Sequence, residues 1–152
     1  MDLRAVVKYL KFCNMVYPEL KDAGAFTNNN YFDTLGLSGL LVIFQTGAID
    51  IGFGSDNSTT PPKLEECDET GGTYSAVSGA ALSAVIGASD DGKLYGIYVD
   101  CSKTHKRYIK VDDPTAGDGT AGVAMAVLGI GFPSDQFPRN AAGMGLTELI
   151  EA

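Results

Sequence analysis

Residues 63–79 run Lys63-Leu64-Glu65-Glu66-Cys67-Asp68-Glu69-Thr70-Gly71-Gly72-Thr73-Tyr74-Ser75-Ala76-Val77-Ser78-Gly79. Leu64 and Cys67 bracket a short predicted strand. Thr70-Gly71-Gly72-Thr73 then turns the chain, since paired glycines supply the positive φ of a tight turn. From Thr73 to Val77 the chain is extended again, with Tyr74 and Val77 among small polar residues. The stretch predicts a β-hairpin with an acidic arm on the way in, and it holds no catalytic signature.

The same pattern of short apolar strands, glycine turns and acidic loop tips recurs on both sides. Leu40-Leu41-Val42-Ile43-Phe44 is short, continuous, apolar and partly β-branched, as a strand buried on both faces would be. Gly47 breaks it, and a further short strand is expected over residues 49–53. Pro61 and Pro62 close a polar loop, which no central strand tolerates. Leu82 to Ile86 make another apolar piece, followed by a turn at Asp90-Asp91-Gly92. Residues 93–101 alternate around Leu94, Tyr95, Ile97, Tyr98 and Val99 and predict a strand, as do residues 107–111. Residues 123–132 favour a strand over a helix because of Gly129 and Gly131. Residues 1–16 fit helix or strand, Pro18 ends the element, and residues 21–30 read as loop.

Roughly seven to nine short strands with no βαβ rhythm predict an all-β fold, an antiparallel β-sandwich or jelly roll with terminal arms. The expected partition is an N-terminal arm and lead-in over residues 1–30, the sandwich core over 31–132, and a C-terminal tail over 133–152. A chain of 152 residues suggests one domain. It can bury a core without metal or disulfide.

The net charge of -8, from 11 basic and 19 acidic residues, argues against nucleic acid and anionic membrane as partners. The three cysteines, Cys13, Cys67 and Cys101, form no C-x-x-C pair, and one histidine rules out zinc-finger spacing. Free thiols in a reducing cytoplasm are expected, with no secretory leader and no apolar run long enough to span a bilayer. Asn57-Ser58-Thr59 is a chance glycosylation sequon on that reading.

Candidate chemistry is sparse. Gly117-Asp118-Gly119-Thr120-Ala121-Gly122 matches G-x-G-x-x-G, but that motif grips pyrophosphate only between a strand and a helix N-terminus. A loop is expected here. Cys101 and His105 are four apart and lack an orienting partner, so a core-facing thiol and a solvated histidine are expected. Asp90, Asp91, Asp112, Asp113 and Asp118 gather at loop ends without calcium-loop spacing. No catalytic, cofactor-binding or metal-ligating residue is assigned. Gly47-Ala48-Ile49-Asp50-Ile51-Gly52-Phe53 resembles the uridine-binding hairpin of trimeric dUTPases. Ser38-Gly39 is similar to part of their phosphate-binding segment, with Leu37 where that segment has Arg. Gly143-Met144-Gly145 lacks the Arg and Phe of their closing arm.

A wider set of pieces resembles capsid cement (decoration) and related small virion proteins of tailed double-stranded DNA bacteriophages. These are Tyr31-Phe32-Asp33-Thr34 with Gly36, Gly47-Ala48-Ile49-Asp50, Glu66, Asp68 and Gly71-Gly72-Thr73-Tyr74, Lys106-Arg107-Tyr108-Ile109, and residues 116–122. The resemblance implies a non-enzymatic virion structural protein on the outside of an icosahedral shell, assembled in the host cytoplasm. It implies the major capsid protein as partner and a homo-oligomer, a trimer being favoured, and it brings no cofactor. Leu3, Val6, Val7 and Leu10, and Leu146, Leu149 and Ile150, are the expected partner-binding arms, acting by strand addition. The alternatives are a receptor- or carbohydrate-binding module of a head fibre or tail, which needs an exposed aromatic platform, and a dUTPase-like nucleotide hydrolase.

Overall fold

The computed structural model describes residues 9–134 and Met144. Its strands are β1 (Lys11–Lys21), β2 (Gly24–Ala25), β3 (Phe32–Asp33), β4 (Leu37–Ile49), β5 (Phe53–Ser55), β6 (Lys63–Cys67), β7 (Ser75–Ala81), β8 (Leu94–Asp100), β9 (Tyr108–Val111), β10 (Pro114–Ala116) and β11 (Val123–Pro133). They form three sheets: β1-β11-β4-β8, β3-β9-β6-β7, and the small sheet β2-β10-β5. Every strand pair is antiparallel. The fold is an all-β antiparallel sandwich, as the strand pattern predicts.

The main sheet is built on β4 and β11, whose ladder runs from Val123 opposite Ile49 to Pro133 opposite Leu37. Within β4, Leu40, Val42 and Phe44 are buried while Leu41 and Ile43 are partly exposed. The apolar run at residues 40–44 therefore has one inward face, which corrects the expectation of burial on both. Residues 11–21, expected within an arm and lead-in, form β1 and pair with β11 from Lys11 opposite Gly131 to Lys21 opposite Val123. Strand wins over helix here because β11 offers a ladder and Met15 and Val16 reach the core. The main sheet thus begins well before position 31.

Inside lie Phe32, Phe44, Phe53, Met15, Leu40, Leu64, Ile86 and Ile109, each almost completely buried. Each such side chain contributes about 1.5–3 kcal/mol of transfer free energy. Phe53 links the layers, edge-on to Phe26 at 5.4 Å and to Phe44 at 6.4 Å between ring centroids. Phe32, from the second sheet, presses against β11 where a side chain is missing. A Cβ on Gly129 would collide with its ring, and one on Gly131 would lie 3.0 Å from its Cζ. The two glycines therefore set the spacing between the sheets.

The hairpin of residues 63–79 is present as β6 and β7, with Glu65 opposite Ala76 and Glu66 opposite Ser75. Its turn works differently from expectation. The positive φ falls at Gly79, at 75°, within an irregular stretch of β7, and not at Gly71 or Gly72. Gly72 instead makes room for the Cys67 Sγ, 2.6 Å from where a Cβ would stand.

Candidate interaction face

Antiparallel register places the residues of one face in rows across the main sheet. One row is Tyr98, Leu41, Ile130 and Phe12; the next is Gly96, Ile43, Leu128 and Asn14. A third begins Leu94, Gln45 and Ala126. These rows point away from the core, and no residue in them is charged. Leu94 is 68% exposed and Tyr98 is 61% exposed, while Leu41, Ile43, Leu128, Ile130 and Phe12 are partly exposed. An antiparallel sheet with one solvated face normally shows polar residues there. Contiguous apolar patches are uncommon on the solvated faces of monomeric proteins, which makes this face the candidate site. A shallow groove of about 430 Å³, lined by Pro18, Glu19, Leu20, Gln45, Gly47 and Ala124 among others, adjoins it toward the far ends of β1 and β4.

Of the expected partner-binding residues, Leu10 stands just ahead of β1 and is partly exposed. Leu3, Val6, Val7, Leu146, Leu149 and Ile150 lie outside the described residues. Met144 is fully buried. The sequence signal of this face is the unalternating apolar run of residues 40–44, which reads equally well as a strand buried on both faces within the domain.

The glycine-rich loop at residues 117–122 does cradle an anion, and the anion is the chain's own. Asp50 Oδ2 accepts the N–H groups of Thr120 at 3.0 Å and Ala121 at 2.7 Å, and Oδ1 accepts that of Gly122 at 2.7 Å. These bonds, that from Ala121 foremost, hold the Asp50 carboxyl below the usual carboxylate range. Asp50 was also the acid of the dUTPase-like stretch, and here its oxygens serve the loop.

Cys101 and His105 do not form a nucleophile and base. The His105 ring nitrogens face the main-chain carbonyls of Lys106, at 2.6 Å, and Cys101, at 3.1 Å. Burial pushes the Cys101 thiol up to about 11, far from a reactive thiolate. Asp90 and Asp91 staple a turn: Asp90 accepts from Gly87 N and Lys93 Nζ, and Asp91 accepts from Ile49 N. Asp112 and Asp113 come together with Asp56, ligand atoms within 4.8 Å of one another. The Lys63 ammonium already bridges two of these acids, 3.1 Å from Asp56 and 2.8 Å from Asp112. Asn57 Oδ1 accepts from both Thr59 and Thr60, closing a local turn. Among the exposed tyrosines, Tyr31 meets Tyr108 edge-on, at 5.2 Å and 77°, with Arg107 over the Tyr108 ring. That arrangement offers no flat double-ring platform for a sugar.

No family model, no curated protein and no solved structure matches this chain.

Proposed function

We propose that this chain is a non-enzymatic virion structural protein of the capsid cement class, seated on the outside of a phage shell and bridging major capsid subunits. The observation that carries the reading is the set of three uncharged, largely apolar rows at the middle of the main sheet's outer face. A rigid sandwich with such a face is suited to docking, and interface cores are depleted in charge in the same way. Supporting it, Asp50, Cys101, His105 and the Asp90–Asp91 pair are each committed to main-chain groups or turns. The test is co-sedimentation of purified protein with phage heads prepared without it. Saturable binding that raises the temperature at which heads burst is the expected result. No binding to either immature or expanded heads would overturn the reading. The expected trimer is tested on the shell itself, by the number of copies bound at each threefold position.

A further inference from the structure

We propose that the edge of β8, which no further strand joins among the described residues, pairs antiparallel with the same strand of a second copy, about a two-fold axis at Gly96. The two outer edges of the main sheet are unlike. β1 carries Pro18 and its ladder slips twice, between Asn14 and Val16 and between Val16 and Glu19. Proline and bulges are what blunt an edge against another strand. β8 runs in unbroken register against β4 from Leu94 to Asp100, with neither proline nor charge between Leu94 and Val99.

Its hydrogen-bonding parity is set by two bonds, Thr46 N to Lys93 O and Cys101 N to Ser38 O. With the β4 register, these direct the N–H and C=O groups of Tyr95, Ile97 and Val99 toward β4. The groups of Leu94, Gly96 and Tyr98 therefore point outward, and these residues are exposed. A two-fold at Gly96 sets Gly96 opposite itself and Leu94 opposite Tyr98 of the second copy, twice. Each is a pair that exchanges both main-chain hydrogen bonds. A slip by one residue would turn the apolar face inward on one copy. A slip by two in one direction would set Leu94 opposite the Asp100 carboxylate.

In the Gly96 register, Lys93 of the second copy falls opposite Val99. That is beside a groove of about 580 Å³ between β8 and β7, whose lining carries both signs of charge, Glu66 and Asp100 with Lys103. The register therefore rests on the main-chain pairing and not on charge. The apolar rows then continue across eight strands. The pairing buries less than the roughly 1,600 Å² of a standard interface. Association is therefore expected only above about 10 µM.

Position 96 reports the axis. A Cβ there meets Leu41 Cδ1 at 3.6 Å and Val42 O at 3.9 Å, ordinary contacts, so Gly96→Cys fits. Facing Cα atoms of such a pair lie about 5.5 Å apart, within disulfide reach. Under mild oxidation at high concentration, Gly96→Cys is expected to cross-link to dimer, with the linked peptide identified by mass spectrometry. Leu94→Cys mixed with Tyr98→Cys is expected to give the mixed disulfide. Leu94→Lys is expected to keep the circular dichroism of the parent and sediment as monomer where the parent is dimer. Gly96→Cys that cross-links no faster than Thr70→Cys at the hairpin tip would overturn the proposal. So would a parent that stays monomeric at several hundred micromolar, or an association that survives Leu94→Lys. No shell enters these experiments, so their outcome is independent of the capsid reading.

Discussion

The carboxylate of Asp50 reaches across 72 positions to the backbone of Gly122, Oδ1 to N at 2.7 Å, and binds the loop ahead of it through the N–H groups of Thr120 and Ala121. A loop that could bind a foreign anion is thereby kept for an internal one. Asp50→Ala should lower the melting temperature and raise hydrogen exchange at residues 120–122. Asp50→Asn, which keeps one acceptor oxygen, should fall between. The folded-state pKa of Asp50 lies below its unfolded value. Its contribution is therefore complete above the ordinary carboxylate pKa and lost as pH falls through the folded value. Exchange at residues 120–122 unchanged in Asp50→Ala would show that the loop holds itself.

Asp33 and Arg107 join the two ends of the β3–β9 pair with two bonds of 2.9 Å, from Nε and Nη2 of the guanidinium to the two carboxylate oxygens. The Arg107 contact, first among several causes, takes the Asp33 carboxyl down to about 2. A lowered carboxyl pKa stabilises above the unfolded value of about 3.9 and not below the folded one. Arg107→Gln should therefore melt lower than the parent at pH 7, and the gap should close between about pH 4 and pH 2. Thermal melts across that range check it. A gap that stays constant with pH would assign the effect of Arg107 to its stacking on Tyr108.

Much of this was visible in the chain before folding. Period-two alternation at residues 93–101 and 107–111 located β8 and β9, because one face of each strand meets the core. The hairpin at residues 63–79 was visible from two short extended runs on either side of a glycine pair. Less visible were features set by partners distant in sequence. Strand β1 exists because β11 presents a ladder more than a hundred positions away, and local spacing alone left helix and strand equal. The turn glycines misled because Gly72 answers to the Cys67 sulfur and not to φ. The outer face was hidden because an apolar run reads the same whether its second face meets this chain or another.

The Phe32 ring of the second sheet lies over Gly129 of the main sheet, where a Cβ would collide with it. Gly129→Ala drives a methyl into the Phe32 ring and should cost about 1–3 kcal/mol by overpacking. Phe32→Leu alone should also destabilise, by leaving space. Combined, the two should be less harmful than their sum, since the smaller side chain clears the methyl. Denaturant melts of the four proteins give the coupling, and strict additivity would mean the sheets simply move apart.

The Cys101 thiol, at about 11, should be slow toward thiol reagents. A free cysteine has a pKa of about 8.5, so at pH 8 the folded protein should label at this position about a hundredfold more slowly. Cys13 is shifted the same way by burial. His105→Ala should leave the labelling rate of Cys101 unchanged, because the ring bonds the Cys101 carbonyl and not its sulfur. Acceleration or slowing of labelling by that substitution would revive the pair as a chemical unit.

Ile43 and Leu128 stand opposite each other at the middle of the apolar face, on the two central strands. Both side chains point outward and are partly exposed. A charge placed there meets solvent in the isolated protein but would be stranded in a docked one. Ile43→Asp should therefore cost the free fold only about 1 kcal/mol while abolishing binding to heads. The reverse pattern is expected of Val42→Asp, whose side chain is fully buried in the interior and whose fold should fail outright. The comparison separates docking from stability on adjacent residues. If Ile43→Asp bound heads as tightly as the parent, the face would be an exposed wall of the sandwich, and docking would have to run through other surfaces.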